Sequence, residues 1–266
     1  MQLDLTEIVK TRYSDRFIIY KNDSIIGASL RHYGEYQQIE LDFLAQFIRP
    51  ASVVYDIGSN VGYHATAFSQ ISRNVYCFEA NPDHFQLLKL NLQDNAHCRI
   101  QNIALGKENG TILVEEFDAT TPSNYGGVKV GAASGREVRM AAIDTLGLPP
   151  ANLMKIDVEG HELAVLQGAT NMIKNQNPFI YFEAAETQDF REIYNLLTGL
   201  DYKLYWLVIM NYNPDNFNKN SENIFANGGI CSVLAIPNSA NMTCGLTLVK
   251  DENDTWEQHL ARNHKN

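Results

Sequence analysis

The sequence has little positive charge and few cysteines. It holds 21 Lys and Arg against 31 Asp and Glu, which gives a net charge of −10, and it has no run of basic residues. A chain of this charge repels a phosphate backbone, so we expect no nucleic-acid partner. The four cysteines form no C-x-x-C pair. Cys77 and Cys98 lie in apolar runs, which is typical of buried free thiols.

Long apolar runs are also lacking. Residues 230–249 carry no charge, but Pro237, Asn238, Ser239 and Asn241 interrupt them, so this segment is not expected to span a membrane. The first residues lack the apolar core of a signal peptide. We therefore expect a soluble protein in the cytoplasm. The sequence makes no prediction of an oligomeric state.

Two glycines of the dinucleotide-binding motif are missing. Residues 53–68, VVYDIGSNVGYHATAF, predict a buried strand, a tight turn and a helix, the opening of a doubly wound α/β domain. Counted from Gly58, the second and third glycine positions of G-x-G-x-x-G hold Asn60 and Tyr63. An adenosine ligand without a pyrophosphate fits D-x-G-x-N-x-G better, because Asp56 and Asn60 can bond a charged amino-acid tail.

A second strand, NVYCFE, ends at Glu79, which follows Gly58 by 21 residues (79 − 58). An acid at this spacing bonds the ribose in folds of this kind. Asn81 and Pro82 then predict the N-cap and first residue of a helix. A third strand, CRIQNIAL, ends near residues 102–104 and should border the adenine.

The flanking segments predict less regular structure. Residues 16–30 resemble a β-hairpin, RFIIY and IIGASL around the turn KNDS, and residues 36–48 a helix with Ile39, Phe43, Leu44, Phe47 and Ile48 on one face. Residues 107–141 predict a β-insertion. The asparagine-rich segment 211–229 predicts a long loop. It is either a functional loop, whose aromatics and amides suit a sugar or polyol, or a solvated loop without a role.

A cluster of ionisable residues follows the fourth core strand, NLMKID. Asp157, Glu159, His161 and Glu162 occupy six positions, and Glu183 ends the next strand, PFIYFE. Carboxylates and an imidazole beside a cofactor can position a hydroxyl, accept its proton or hold a metal. We expect Glu162 to be structural and at least one of the other three to touch ligand.

Taken together, DIGSNVG, FEANP, NIALG, KIDVEGHELAVLQGA and PFIYFE resemble the FkbM family of S-adenosylmethionine-dependent methyltransferases. The resemblance covers roughly residues 35–236, and KIDVEGHE with VLQGA is its most specific part. It implies the α/β class I, Rossmann-like methyltransferase fold: a seven-stranded, mostly parallel sheet with helices on both faces and one antiparallel strand near the edge. It also implies O-methylation of a hydroxyl on a sugar, glycan, glycolipid or polyketide.

The resemblance assigns the cofactor site by motif. Asp56, Gly58, Asn60 and Gly62 would lie along the methionine of S-adenosylmethionine, Glu79 would take the ribose, and the segment from Asn102 to Ala104 would lie near the adenine. Asp157 would also border the cofactor. The corresponding domains are an N-terminal hairpin and helix extension at 1–50, the methyltransferase domain at 51–250 and a peripheral tail at 251–266.

The catalytic group stays open between three candidates. His161 can act as a base near neutral pH, whereas Asp157 and Glu183 could bind a divalent metal that acidifies the hydroxyl. Two other classes of function compete with methyl transfer. One is a noncatalytic protein that binds S-adenosylmethionine, and the other, disfavoured by the missing glycines, is a dinucleotide-dependent oxidoreductase.

Overall fold

The computed structural model describes residues 3–184, 189–226, 228–242 and 244–263. Its strands are β1 (Thr6–Val9), β2 (Phe17–Tyr20), β3 (Val53–Ile57), β4 (Asn74–Glu79), β5 (Cys98–Asn102), β6 (Ala104–Leu105), β7 (Gly110–Val114), β8 (Arg136–Ala141), β9 (Leu153–Ile156), β10 (Phe179–Glu183), β11 (Tyr202–Met210), β12 (Gly229–Pro237) and β13 (Thr247–Leu248). Its helices are α1 (Ile26–Tyr33), α2 (Gln38–Leu44), α3 (Tyr63–Ser69), α4 (Pro82–Asn91), α5 (Glu162–Gln167), α6 (Thr170–Gln176), α7 (Phe190–Gly199) and α8 (Trp256–Asn263). No described helix is long and apolar enough to cross a membrane.

The main sheet has the strand order β13-β11-β12-β10-β9-β3-β4-β5. The five strands from β10 to β5 are parallel, whereas β12 runs antiparallel to both β10 and β11. Without the two-residue β13 this is a seven-stranded, mostly parallel sheet with one antiparallel strand next to the edge. The predicted fold class is therefore confirmed. The strand order reverses between β3 and β9, where doubly wound folds bind their ligands.

Both faces of the sheet are buried. One face packs against α2, α3 and α4 through residues such as Leu44, Phe68 and Leu88, and the other packs against α5, α6 and α7 through Leu166, Ile173 and Leu197. Burial on both faces explains why the central strands are continuous apolar runs. Asn81 caps α4 as predicted, because its side chain accepts hydrogen bonds from the backbone N–H groups of Asp83 and His84.

The predicted hairpin over residues 16–30 is wrong. Strand β2 pairs with β1 instead, and residues 26–33 form the helix α1. Asp23 explains the helix, because its carboxylate accepts the backbone N–H groups of Ile25 and Gly27 at 3.0 Å each. The buried residues Ile26, Leu30 and Tyr33 have helical spacing.

The predicted helix over residues 36–48 is shorter and faces differently. Gln37 has a left-handed backbone, φ 49°, so α2 begins only at Gln38, and a 3-10 turn follows it. Leu41 and Leu44 face the core, whereas Ile39 is 42% exposed. The change of helix type after Leu44 carries Ile48 back into the core.

The predicted β-insertion is a three-stranded sheet of order β6-β8-β7. The segment 115–135 between β7 and β8, called the flap below, is joined to the N-terminal region. The Asn22 side chain donates to the carbonyls of Ala119 and Thr120, and the backbone of Ser24 donates to Ser123. Tyr125 is fully buried in the main core.

The loop from residue 211 to residue 226 is fixed by a buried carboxylate. Glu35 is 2% exposed and accepts hydrogen bonds from the Arg12 guanidinium at 2.7 Å, the Asn213 amide at 2.7 Å and the Phe217 backbone N–H at 2.8 Å. The N-terminal segment and this loop therefore pack as one unit.

The C-terminal segment packs on β11. The indole of Trp206 donates to Asp254 at 3.3 Å, and the His259 ring stacks on it at 6.0 Å between centroids. The division of the chain at residues 50 and 250 stays a prediction.

Candidate functional site

A cavity of about 230 Å³ lies where the central parallel strands end. Six of the predicted site residues line it: Gly58, Asn60, Glu79, Ala104, Asp157 and Glu183. The other four, Asp56, Gly62, Asn102 and His161, lie outside its lining. The turn after β3, the end of β4 and the ends of β9 and β10 thus meet in one cavity.

The glycines of the turn allow close packing within the protein. Gly58 has φ +81°, and a Cβ there would lie 1.7 Å from the backbone oxygen of Asp157. Gly62 has φ +93°, and its Cβ would lie 2.7 Å from a methyl carbon of Leu88 in α4. Gly58 therefore sets the turn against the end of β9, and Gly62 sets α3 against α4.

Glu79 connects the ends of β3 and β4. It is 6% exposed, and its two carboxylate oxygens accept the backbone N–H groups of Asn60 and Asn81 at 2.7 Å each. Burial raises the pKa of Glu79 to about 7, although these two N–H groups oppose the shift. A carboxylate has about four acceptor positions, so Glu79 keeps the capacity to bond a ligand in the cavity.

A buried ammonium connects β3 with β9. Asp56 and Lys155 are register partners, and the Lys155 Nζ lies 2.9 Å from Asp157 Oδ2 and 3.9 Å from Asp56 Oδ1. Burial alone would lower the pKa of Lys155, but the two carboxylates hold it above its usual value. Burial would likewise raise the pKa of Asp157, but Lys155 holds it below its usual value. Asp157 is therefore ionised at neutral pH.

Three carboxylates converge at the β9–β10 side of the cavity. Asp157, Glu159 and Glu183 each offer an oxygen, and these oxygens all lie within 4.8 Å of one another. Burial first, and then the charges of Asp157 and Glu159, raise the pKa of Glu183 to about 9. Glu183 is thus protonated at neutral pH and shares a hydrogen bond with the ionised Asp157.

His161 faces the insertion sheet. A Cβ on Gly106 would lie 3.0 Å from its Nε2, and one on Gly131 would lie 3.8 Å from its Nδ1. Burial lowers the pKa of His161, which keeps the ring neutral. The neighbouring Glu162 is structural, as expected, because its carboxylate accepts the backbone N–H groups of Val158 and Gly160.

The opposite side of the cavity is apolar. Its lining comes from the β5–β6 connection, from β7 and from the flap: Ile103, Ala104, Leu105, Val114, Val128 and Val130. Asn102 is exposed and lies outside the cavity lining, and its amide donates to the carbonyls of Glu79 and Ala80. A planar base suits such a wall, and ionic groups do not.

A family comparison now adds to this geometry. A sequence model described as the methyltransferase FkbM domain matches residues 56–204, which is more than half of the chain. The chain belongs to the FkbM methyltransferase family. The resemblance seen in the motifs is thereby confirmed, and the turn after β3, Glu79 and the carboxylate cluster all lie inside the matched segment of this FkbM-family protein.

Among characterised proteins, the hexuronic acid methyltransferase AglP of Haloferax volcanii is 33% identical over 150 residues. That match covers 55% of this chain and 61% of AglP, so it spans less than two thirds of the relative. A methyltransferase FkbM from Methylobacillus flagellatus is 15% identical, with a TM-score of 0.46, over 70% of this chain and 44% of that one. A Pyrococcus abyssi tRNA (uracil-54, C5)-methyltransferase in complex with S-adenosyl-L-homocysteine is 10% identical, with a TM-score of 0.49, over 86% and 44%. Family membership rests on the sequence match alone.

Sequence analysis missed several residues that line the cavity of this FkbM-family protein. They are Tyr36, Gln37, His64, Lys155, Asn211 and the flap valines Val128 and Val130. Lys155 had a recognisable signal, because a charged residue in the apolar run LMKI requires a buried counter-charge. Gln37 and Asn211 had none, since long-range packing alone brings their segments to the cavity.

The raised pKa of Glu183 predicts a pH-dependent stability. A carboxyl with a folded pKa near 9 and an unfolded pKa near 4.5 stabilises the protein below pH 4.5, and this contribution is lost as the pH rises toward 9. Glu183→Gln removes the ionisation. We therefore expect the unfolding midpoint of the variant, relative to the parent, to rise steadily between pH 5 and pH 9.

Thermal unfolding followed by circular dichroism across this range measures the difference. Glu222→Gln, at an exposed position, is the matched control and should show no such trend. A constant offset between Glu183→Gln and the parent would contradict the raised pKa.

Proposed function

We propose that this FkbM-family protein is an S-adenosylmethionine-dependent O-methyltransferase that acts on a hydroxyl of a sugar or glycan. One observation carries the proposal. Glu79 at the end of β4 and the pair Asp157–Glu183 at the ends of β9 and β10 line one cavity. A carboxylate that could bind a nucleoside and a pair that could accept a proton therefore face the same space. A cytoplasmic location and the absence of a nucleic-acid partner stay predictions.

The cavity suits S-adenosylmethionine in two respects. Its apolar wall fits a base, and Glu79 keeps acceptor capacity for ribose hydroxyls beside that wall. Asn60 lies between this end and the carboxylates, where the amino-acid tail would run. When bound, S-adenosylmethionine supplies an activated methyl group, so the protein has mainly to hold two reactants close and aligned.

The acceptor hydroxyl needs a group that takes its proton. Asp157 is ionised at neutral pH because Lys155 lies 2.9 Å away, and Glu183 carries a proton that it shares with Asp157. We therefore assign proton acceptance to the Asp157–Glu183 pair. His161 is the competing candidate from the sequence, and its contacts with the insertion sheet favour a packing role.

The sugar class of the acceptor is supported by AglP, whose name gives hexuronic acid as its substrate. Because the match spans only 61% of AglP, the substrate of the relative supports the class of acceptor, not its identity. Polar side chains that line the cavity, among them Gln37 and Asn211, agree with a hydroxyl-rich acceptor.

The first prediction of this proposal concerns the cofactor. Glu79→Ala should weaken binding of S-adenosylhomocysteine by roughly 1–3 kcal/mol, because ribose hydroxyls lose their hydrogen-bond acceptor. Isothermal titration calorimetry measures this affinity, and Glu222→Ala is the control. Unchanged affinity in a folded Glu79 variant would remove Glu79 from the site. Binding of NAD in preference to S-adenosylhomocysteine would favour an oxidoreductase.

A second prediction concerns the proton acceptor. We expect Asp157→Asn to lower kcat by roughly 10²–10⁴ and His161→Ala to leave kcat and cofactor affinity nearly unchanged. Because Asp157 also pairs with Lys155, the affinity of the Asp157 variant for S-adenosylhomocysteine is measured alongside, which separates loss of the proton acceptor from loss of the ion pair. The assay follows labelled methyl from S-adenosylmethionine into glycan and lipid fractions of the organism that encodes the protein, with mass spectrometry of the products. A His161 variant with the larger loss would assign the base to the imidazole.

The same assay tests a metal. Oxygens of Asp157, Glu159 and Glu183 would hold a divalent cation that acidifies the hydroxyl, but the Lys155 ammonium beside Asp157 opposes a second positive charge. We expect transfer to continue in EDTA. Loss of transfer in EDTA that magnesium or manganese restores would assign the cluster to a metal.

A further inference from the structure

Carboxylates line the cavity at the ends of β9 and β10, where the acceptor hydroxyl would bind. Strands β4 and β10 are separated by β3 and β9 in the sheet, so Glu183 lies far along the cavity edge from Glu79. We define the acceptor end as Asp157 and Glu183 together with the cavity-lining residues associated with them. These are Tyr36 and His64, which interact electrostatically with Asp157, Gln37, which follows Tyr36, and Asn211, which follows β11.

Positive charge at this end is already neutralised. Among the described residues that line the cavity, Lys155 is the sole lysine or arginine. Its ammonium is 3% exposed and is paired with Asp157 and with the fully buried Asp56. Glu159 also lines this part of the cavity. A bound anion would therefore meet carboxylates without a free cation to offset them.

Two amide oxygens at this end have no hydrogen-bond partner among the described residues. They are the Oε1 of the buried Gln37 and the Oδ1 of the half-buried Asn211, and both residues line the cavity. Gln37 is 6% exposed, and its left-handed backbone, φ 49°, is uncommon for a residue other than glycine. A buried oxygen without a hydrogen bond raises the free energy of the protein. A ligand that donates hydrogen bonds to these amides would remove that cost.

Amides and carboxylates together define the chemistry of that ligand. An amide can turn to offer either its oxygen or its NH₂ group, whereas an ionised carboxylate only accepts. Sugar hydroxyls can donate to all of these groups. A sugar carboxylate could accept from an amide NH₂ group or from the protonated Glu183, but it cannot donate to the ionised Asp157, and it adds a negative charge next to Asp157 and Glu159.

We propose that the acceptor is an uncharged, hydroxyl-bearing sugar residue, and that the acceptor end discriminates against uronic acids through its carboxylates and binds hydroxyls through Gln37 and Asn211. This proposal rests on the proposed sugar methyl transfer, which it makes more specific. It also separates this protein from AglP, whose name gives a hexuronic acid.

Matched sugars test the charge selection. The methyl glycosides of glucose, galactose and mannose are compared with those of the corresponding uronic acids, each at pH 7.5 with the full chain. Binding is measured by ligand-observed NMR in the presence of S-adenosylhomocysteine, and transfer with labelled S-adenosylmethionine. At least one neutral glycoside should bind about 10-fold or more tightly than its uronic acid partner. Equal or tighter binding of the uronic acids, or no binding of any neutral glycoside, would overturn the proposal.

Two variants test which residues cause the selection. Glu159→Gln should reduce the ratio of the dissociation constants of the uronic acid and the neutral sugar, because it removes one negative charge. Gln37→Met should raise the dissociation constant of the neutral sugar several-fold and leave that of S-adenosylhomocysteine unchanged. Gln46→Met, at an exposed position just after α2, is the control. Unchanged sugar affinity and preference in both folded variants would contradict the assignment.

The binding and transfer measurements together also distinguish failure of this proposal from failure of the proposed function. Neutral sugars that bind selectively but are never methylated would contradict methyl transfer and leave the charge selection intact. Methylation of uronic acids in preference to neutral sugars would support methyl transfer and contradict the charge selection. All arms are run in EDTA and in magnesium, and a preference for uronic acids in either condition counts against the proposal.

Discussion

The buried ammonium of Lys155 is the interaction on which the site depends. A charge that is 3% exposed must be paired, because an uncompensated charge in the interior costs several kcal/mol. Asp56 and Asp157 supply the pairing from adjacent strands, and this fixes the ends of β3 and β9 relative to each other. The backbone oxygen of Asp157 then lies against Gly58. The turn after β3 and the carboxylate cluster are thus aligned by one ion-pair network.

That network also sets the protonation states around it. Lys155 keeps Asp157 ionised against the effect of burial, and burial together with the charge of Asp157 keeps a proton on Glu183. One carboxyl that accepts a proton and one that donates a hydrogen bond therefore stand side by side at neutral pH. Two chemically similar groups acquire different protonation states because Asp157 pairs closely with the ammonium, whereas burial and the charge of Asp157 dominate at Glu183.

The sequence predicts the central sheet well, because its physics is local. Strands buried on both faces are apolar runs, and β4 is followed by the Asn81–Pro82 capping signal that begins α4. It predicts α1 wrongly, because the β-branched start of IIGASL favours a strand, while the Asp23 carboxylate and packing against β2 stabilise a helix.

The candidate site divides in the same way. The spacing between Gly58 and Glu79 suffices to bring Glu79 to the cavity, since both follow neighbouring parallel strands. His161 also follows a core strand, β9. Its ring nevertheless faces the insertion sheet, because the backbone after Gly160 decides the direction of the side chain. Gln37 reaches the cavity only through the packing of the N-terminal region, which no short motif encodes.

The bonds of Glu35 have a consequence for how such proteins can be recombined. This one carboxylate joins Arg12, Asn213 and Phe217, so two segments some two hundred positions apart in the chain share a single buried anchor. A chimaera that exchanges only one of these segments with a relative would leave the anchor mismatched. An exchange that is meant to keep these hydrogen bonds therefore has to move both segments together.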